Sequence, residues 1–535
     1  MSQHATFPGR PVLSRRRLLQ SVGAGAAVVT LTNVEALAEA VEGPVASTTP
    51  DRFSRLFQLP SFATPTDERV RNAMLSIGNA GGPLDARDPL GVGPVRLIAE
   101  PALSPDNRDN QDGSVINHTA GVTFLGQFLD HDMTFDTTSR LGVPLEPTAA
   151  PNARTPMLDL DSVYGGGPSA SPQLYQSSDR DKFRVESGGL FEDLPRDSNR
   201  VAIIADPRND ENLMISGMHA AFLLFHNRVV DTVRAQGTPA AQVFATARRL
   251  VTWHYQWIIL HEFLPLIIGQ SMVNDILTNG RRFYRPAAGQ QSIPVEFQGA
   301  VYRFGHSMVR PSYRANLQGD PGGDALTGAP AFFGFIFDRA FDGQADPDDL
   351  RGGVRARRRF IGWQTFFDFG GTQTQHVRAA KRIDTKISTP LFRLPLGAIP
   401  GNELSVTSLA QRNLLRHMTW SLPSGQRIAQ TVGAPVLGSA NFPELAQFNL
   451  GLDASTPLWY YSLKEAQLTQ DGRRLGPMAG RVVGEVFIGL LQLDPASYLS
   501  VQPGWTPTLP RQNSADFRMT DLLRFARVDP ASRGQ

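Results

Sequence analysis

The sequence predicts a mainly α fold with many long loops and little β structure. Three observations carry that expectation. Several windows repeat apolar residues at helical spacing, the chain is rich in Gly (49) and Pro (40), and strand-like alternation is short and scattered. Hydrophobic residues make up 41% and charged residues 19% of the 535 residues, ordinary globular proportions with ample core for one large domain. There is no cysteine. Disulfide scaffolds, zinc fingers, iron–sulfur clusters, cysteine nucleophiles and Cys-ligated haem are therefore excluded.

In chain order, the first element reads as an address. Ser14-Arg15-Arg16-Arg17-Leu18-Leu19-Gln20 precedes a mild apolar stretch over residues 21–32, and Ala36-Leu37-Ala38 offers small residues where signal peptidases cut. The pattern is similar to a twin-arginine export signal. It predicts a signal at 1–38, a linker at 39–54, a domain at 55–530 and export to the periplasm or medium. The formal net charge is +2, and Arg10, Arg15, Arg16 and Arg17 stand against Glu35 alone in the leader. The basic surplus belongs to the leader, so no nucleic-acid surface is expected. No later apolar run is expected to cross a membrane. The basic cluster at 355–359 follows the acidic stretch at 346–349 and reads as a solvated loop with local ion pairing.

The helical windows are residues 123–132, 213–236, 245–268, 408–419, 457–468, 477–493 and 520–527. In the first, Phe124, Phe128 and His131 fall at i, i+4 and i+7. The third carries Trp253, Trp257 and Phe263, and Pro265 is expected to end or kink it. Gly/Pro-rich loops lie at 319–330 and 370–375.

Gly126-Gln127-Phe128-Leu129-Asp130-His131-Asp132 is the densest polar cluster inside an apolar helix. Helical geometry puts Gln127 and His131 on one face with Asp130 beside them, and turns Asp132 elsewhere. Buried together, these groups each need a partner. Adjacent His131 and Asp132 also read as the pair of a metal-dependent phosphohydrolase, but neither His118 nor the downstream helices supply the further ligands. Thr155, Met157, Asp159 and Asp161 then place oxygen donors at every second residue. In an extended loop these converge on one side. With Asp132 they suit a hard cation, Ca²⁺ above a transition metal. An ordinary Asp-rich turn is the plainer alternative.

These motifs, with others in order, resemble the animal-type haem peroxidases, a family with many bacterial members. Leu125-Gly126-Gln127-Phe128-Leu129-Asp130-His131-Asp132 resembles the distal helix. Residues 155–165 resemble the calcium loop. Asp206-Pro207-Arg208-Asn209-Asp210-Glu211 precedes a helix holding His226-Asn227-Arg228. Tyr302-Arg303-Phe304-Gly305-His306 resembles the proximal segment, and Arg412-Asn413-Leu414-Leu415-Arg416 the helix behind it. Residues 381–386, 459–466 and 475–498 resemble segments of the bacterial branch. The resemblance implies a haem b cofactor, Ca²⁺, hydrogen peroxide as oxidant and small organic donors or halide as partners. It assigns His131 as distal acid–base, Arg208 as distal arginine and Gln127 as holder of water or halide. Asp130 and Glu211 match the carboxylates that form ester links to haem. His306 matches the proximal ligand, Asn413 the acceptor for its far nitrogen, and Arg303 and Arg416 the residues near the propionates. Asp132, Thr155, Met157, Asp159 and Asp161 match the calcium ligands. Two departures stand out: Asn212 follows Glu211 where myeloperoxidase has a methionine linked to haem, and the disulfides of mammalian members are missing.

The chemistry suits those roles. Peroxide cleavage needs an imidazole that takes a proton from one oxygen and returns it to the other. A fixed guanidinium stabilises the charge that develops. The other histidines, His219, His226, His254, His261, His376 and His417, read as packing or helix-end residues. A fatty-acid dioxygenase of the same superfamily is the first rival. Such enzymes carry a tyrosine three residues before the proximal histidine, a place held here by Arg303, with Tyr302 one step earlier. A non-enzymatic exported haem- or calcium-binding protein is the second.

Overall fold

In the computed structural model, residues 51–535 are described, apart from 188, 288, 321, 323–327, 397–404 and 515. The expected export signal at 1–38 lies outside the described residues. The domain reaches beyond both expected boundaries. Asp51–Arg52 pairs antiparallel with Pro151–Asn152, and Phe53 is buried, so residues 51–54 belong to the domain and not to a linker. At the other end, Arg533 is ion-paired with Glu192.

The architecture is mainly helical. The principal helices are α1 (Glu68–Ile77), α2 (Ala120–Met133), α3 (Leu213–Ala235), α4 (Val243–Ile258), α5 (Leu264–Ile268), α6 (Gln270–Asn279), α7 (Leu409–Thr419), α8 (Leu458–Gln470) and α9 (Pro477–Leu493). Among the described residues, strands form only two-stranded antiparallel pairs. The longest joins β1 (Ser312–Asn316) to β2 (Phe332–Phe335), with Ser312 opposite Phe335 and a register slip between Arg314 and Asn316.

Burial places α2 at the centre. Every α2 residue is buried except Gly126, Gln127 and Asp130. A helix apolar on nearly all sides can only sit inside a core, and its three remaining positions face an internal cleft. α3 packs across α2, with Phe128 stacked on Phe222 at 4.6 Å. Asn212 caps α3 by accepting from Ile215 N–H at 3.0 Å, and Ser408 caps α7.

The expected kink at Pro265 takes the form of a π-turn over Ile259–Phe263, between α4 and α5. Proline lacks the N–H that an α-ladder would need there, and the widened turn absorbs the defect. Phe263 is thereby brought against α2, where a Cβ on Gly126 would lie 3.3 Å from its ring. That contact favours glycine at 126.

By length and composition α3 passes for a membrane span. Its apolar surface is buried in the domain core, where it packs with α2 and α4, and His226 on it is tied inside the protein. His226 Nδ1 meets the Tyr164 hydroxyl at 2.9 Å. The basic loop behaves as expected: Arg358 pairs with Asp346 and Asp348.

Candidate functional site

The cleft opens between α2 and a 3₁₀ turn, Val301–Phe304, that runs into the short helix Gly305–Met308. One wall carries Gln127, Asp130, His131, Arg208 and Glu211; the other carries Arg303 and His306, with Arg412 and Arg416 at the side. Its empty space, open mouth included, is about 1480 Å³.

His131 is buried, and its Nδ1 lies 2.8 Å from Asn209 Oδ1. The amide oxygen fixes Nδ1 as the protonated nitrogen and leaves Nε2 as a free base. Burial, then the neighbouring Arg208, pushes the imidazole down to about 3, so it is neutral across the ordinary pH range. Asn209 also lies 3.0 Å from His219 Nδ1 through its amide nitrogen. His219 thus acts as packing that orients an orienting residue.

Arg208 and Glu211 come from Pro207–Asp210, a 3₁₀ turn with Glu211 at its end. At three residues per turn, positions i and i+3 eclipse, so both side chains face the cleft. Asp206 holds the Arg208 guanidinium at 3.0 Å (Nε) and 2.7 Å (Nη2). Burial opposes the Asp206 charge, but Arg208 outweighs it and holds the carboxyl down at about 2. Arg208 also donates to the His131 carbonyl at 3.1 Å and lies 4.1 Å above the Phe135 ring. A backbone close approach sets the turn: a Cβ on Gly352 would lie 1.7 Å from the Asp210 carbonyl oxygen.

Gln127 donates to Glu211 Oε2 and accepts from Asn212, both at 3.2 Å. Burial pushes Glu211 up to about 8 and raises Asp130. Both carboxyls face the cleft.

On the opposite wall, burial and then Arg303 push His306 down to about 3, leaving it a neutral imidazole. Its Nδ1 lies 2.7 Å from Asn413 Nδ2, while Asn413 Oδ1 accepts from Arg303 Nη1 at 3.2 Å. His306 and Asn413 are thus in hydrogen-bond contact, and the buried guanidinium of Arg303 binds the amide oxygen. Arg416 is ion-paired with Asp136 at 2.6 Å.

Asp132 points away from the cleft. It accepts from the Leu160 N–H at 3.1 Å, the Ser162 hydroxyl at 3.1 Å and the Tyr255 hydroxyl at 3.0 Å. Asp132, Asp159 and Asp161 bring carboxylate oxygens within 4.8 Å of one another. The loop is not the extended strand expected. Leu160 is left-handed (φ 59°) and Asp161 begins a helical turn, a conformation costing about 1–2 kcal/mol for a non-glycine residue. That kink aims Asp159 and Asp161 together. Thr155 supports them, its hydroxyl donating to Asp159 at 2.9 Å and its N–H to Asp161 at 2.9 Å. Met157 N–H closes onto the Thr155 carbonyl at 2.8 Å. Among the described residues no histidine joins this cluster, which leaves the phosphohydrolase reading without support. His118, at 3.0 Å from Asn110 and 2.9 Å from the Leu266 carbonyl, lies off the cleft.

The sequence did not reveal Asn209, Asp206 as the holder of Arg208, or Asn212 as the partner of Gln127. It also did not place Arg412 in the cleft. Only the cluster 206–212 gave a local sign, a run of polar residues before an apolar helix.

Residues 136–322 match the family model for animal haem peroxidase. The chain is 24% identical over 472 residues to Heme peroxidase 2 of Caenorhabditis elegans, covering 75% of this chain and 62% of that protein. It is 26% identical over 368 residues to Chorion peroxidase of Drosophila melanogaster, covering 64% and 41%. The chain thus spans less than two thirds of these relatives. Peroxidase A from Dictyostelium discoideum shares the fold, with a TM-score of 0.57 at 15% identity over 89% of this chain and 93% of that one. Oryza sativa fatty acid alpha-dioxygenase does so with 0.55 at 15% over 85% and 77%.

Proposed function

We propose that this chain, whose residues 136–322 match the animal haem peroxidase family model, is a haem-dependent peroxidase that uses hydrogen peroxide to oxidise small organic donors or halide. One observation carries the reading: a single cleft is lined by an oriented neutral His131, a fixed Arg208 and a neutral His306.

The residues present fit haem b. His306 offers a neutral imidazole for the iron, Asp130 and Glu211 offer carboxyls for ester links, and Arg303 and Arg416 suit the propionates. When bound, the haem supplies the iron and the redox equivalents. His131 Nε2 takes a proton from one peroxide oxygen and returns it to the other. Arg208, held rigid by Asp206, stabilises the negative charge that develops as the bond breaks. Gln127 holds the water or halide beside them. Asn413, in hydrogen-bond contact with His306 Nδ1, orients the ring.

Asp132, Asp159 and Asp161, with Thr155 and Met157, form the calcium site of the proposal. The ion there steadies α2 beside the base. Export through the twin-arginine-type signal at 1–38 belongs to the same proposal.

The test is a Soret band on the purified protein, its change on adding H₂O₂, and guaiacol oxidation. His131→Ala abolishes the peroxide response while haem stays bound; His306→Ala weakens haem retention. A second reading rests on Tyr302, which lines the same cleft with its hydroxyl 3.0 Å from the Gly126 carbonyl. Oxygen uptake driven by linoleate, without guaiacol oxidation, selects that dioxygenase reading.

A further inference from the structure

A part-buried arginine outside the cleft joins the acidic loop to the distal arginine. Arg154 Nη1 lies 3.4 Å from Asp161 Oδ1, and its Nε lies 3.1 Å from Asp206 Oδ2. Its Nη2 donates to the Ala205 carbonyl at 3.2 Å, which fixes the fork. Asp206, fully buried, holds Arg208 with its same two oxygens. The path from the loop to the cleft is therefore an alternating run of charges: Asp161, Arg154, Asp206, Arg208.

We propose that Arg154 is a positioning residue that transmits cation occupancy of the Asp132–Asp159–Asp161 loop to Arg208. The proposal rests on the haem and calcium readings above. A divalent cation at the loop claims the Asp161 carboxylate, and Arg154 then directs its charge wholly to Asp206. Asp206 in turn holds Arg208 less tightly, and the guanidinium has more of its field to offer an anion in the cleft. Cation binding and anion binding therefore strengthen each other, and by linkage each must change the other's affinity by the same factor.

The experiment uses the haem-loaded full chain with two probes, calcium and cyanide. Cyanide affinity is read from the Soret shift with calcium chelated and with calcium saturating. Calcium affinity is read by calorimetry with and without saturating cyanide. In the native chain, calcium tightens cyanide about fivefold or more, and cyanide tightens calcium by the same factor. In R154Q both ligands still bind, and the factor falls to one. A purely structural arginine would weaken both ligands and leave the factor intact. Should R154Q lose its native circular dichroism, R154K takes its place. It keeps one charge beside Asp206 but cannot span both carboxylates, and the same loss of coupling is expected.

A native factor of one, or a factor that survives both variants, overturns the relay. So does a chain that takes up no calcium. A chain without a Soret band removes the peroxidase reading itself, whereas a normal Soret band with a factor of one removes only the relay.

Discussion

Exchanging Asn209 for aspartate changes the charge against the distal base and replaces the amide nitrogen facing His219 by a second carboxylate oxygen. Asn209 Oδ1 accepts from His131 at 2.8 Å, and a carboxylate in its place would present an oxygen of the same reach. In the native protein, burial and then Arg208 hold His131 at about 3. A carboxylate at hydrogen-bond distance favours the imidazolium and raises such a group by about 1–3 units, to a midpoint of about 4–6. The base works only when neutral, so activity is lost as pH falls through that midpoint. With the midpoint at about 6, only about a tenth of His131 is neutral at pH ~5, and the rate falls about tenfold there. The assay is the second-order rate of the Soret change on mixing with H₂O₂, followed from pH ~4 to ~8. The native rate stays flat down to about pH 4, while Asn209→Asp declines from about pH 6. Identical acid limbs in both proteins refute the reasoning, as does a native limb near ~6.5, the value of free imidazole.

Gly352→Ala forces a Cβ to 1.7 Å from the Asp210 carbonyl, where neither backbone can yield. It is expected to cost about 3 kcal/mol or more in denaturant unfolding and to lower haem retention. Glu211, raised to about 8 by burial, ionises far earlier in the unfolded chain. Haem-free protein therefore loses stability as pH rises from about 4.5 to about 8, by on the order of several kcal/mol. Glu211→Gln flattens that slope in pH-dependent denaturation, and an unchanged slope assigns it to other groups. Asp159→Asn removes one of three carboxylates and weakens calcium uptake on the order of tenfold by calorimetry, without moving the Soret band.

The distal wall was legible because its residues share one helix. Gln127, Asp130 and His131 follow from helical spacing, and all three line the cleft. Arg208 and Glu211 lie on a separate 3₁₀ turn and were legible through the resemblance of 206–211. Asn209 was not, because its partner lies 78 residues away and no periodicity marks a contact of that span. The Asp206–Arg154 contact is hidden likewise. The loop at 155–161 showed its ligand types, but alternation predicted an extended chain where Leu160 turns left-handed. The order of side chains was readable there; the sign of one backbone angle was not.

The hydroxyl of Tyr302, given to the Gly126 carbonyl at 3.0 Å, is a strut between the two walls of the cleft. A strut sets a gauge. It ties the Ala120–Met133 helix to the Val301–Phe304 turn at the level of Gly126, so the helix that bears His131 and the turn that leads into His306 are held in one register.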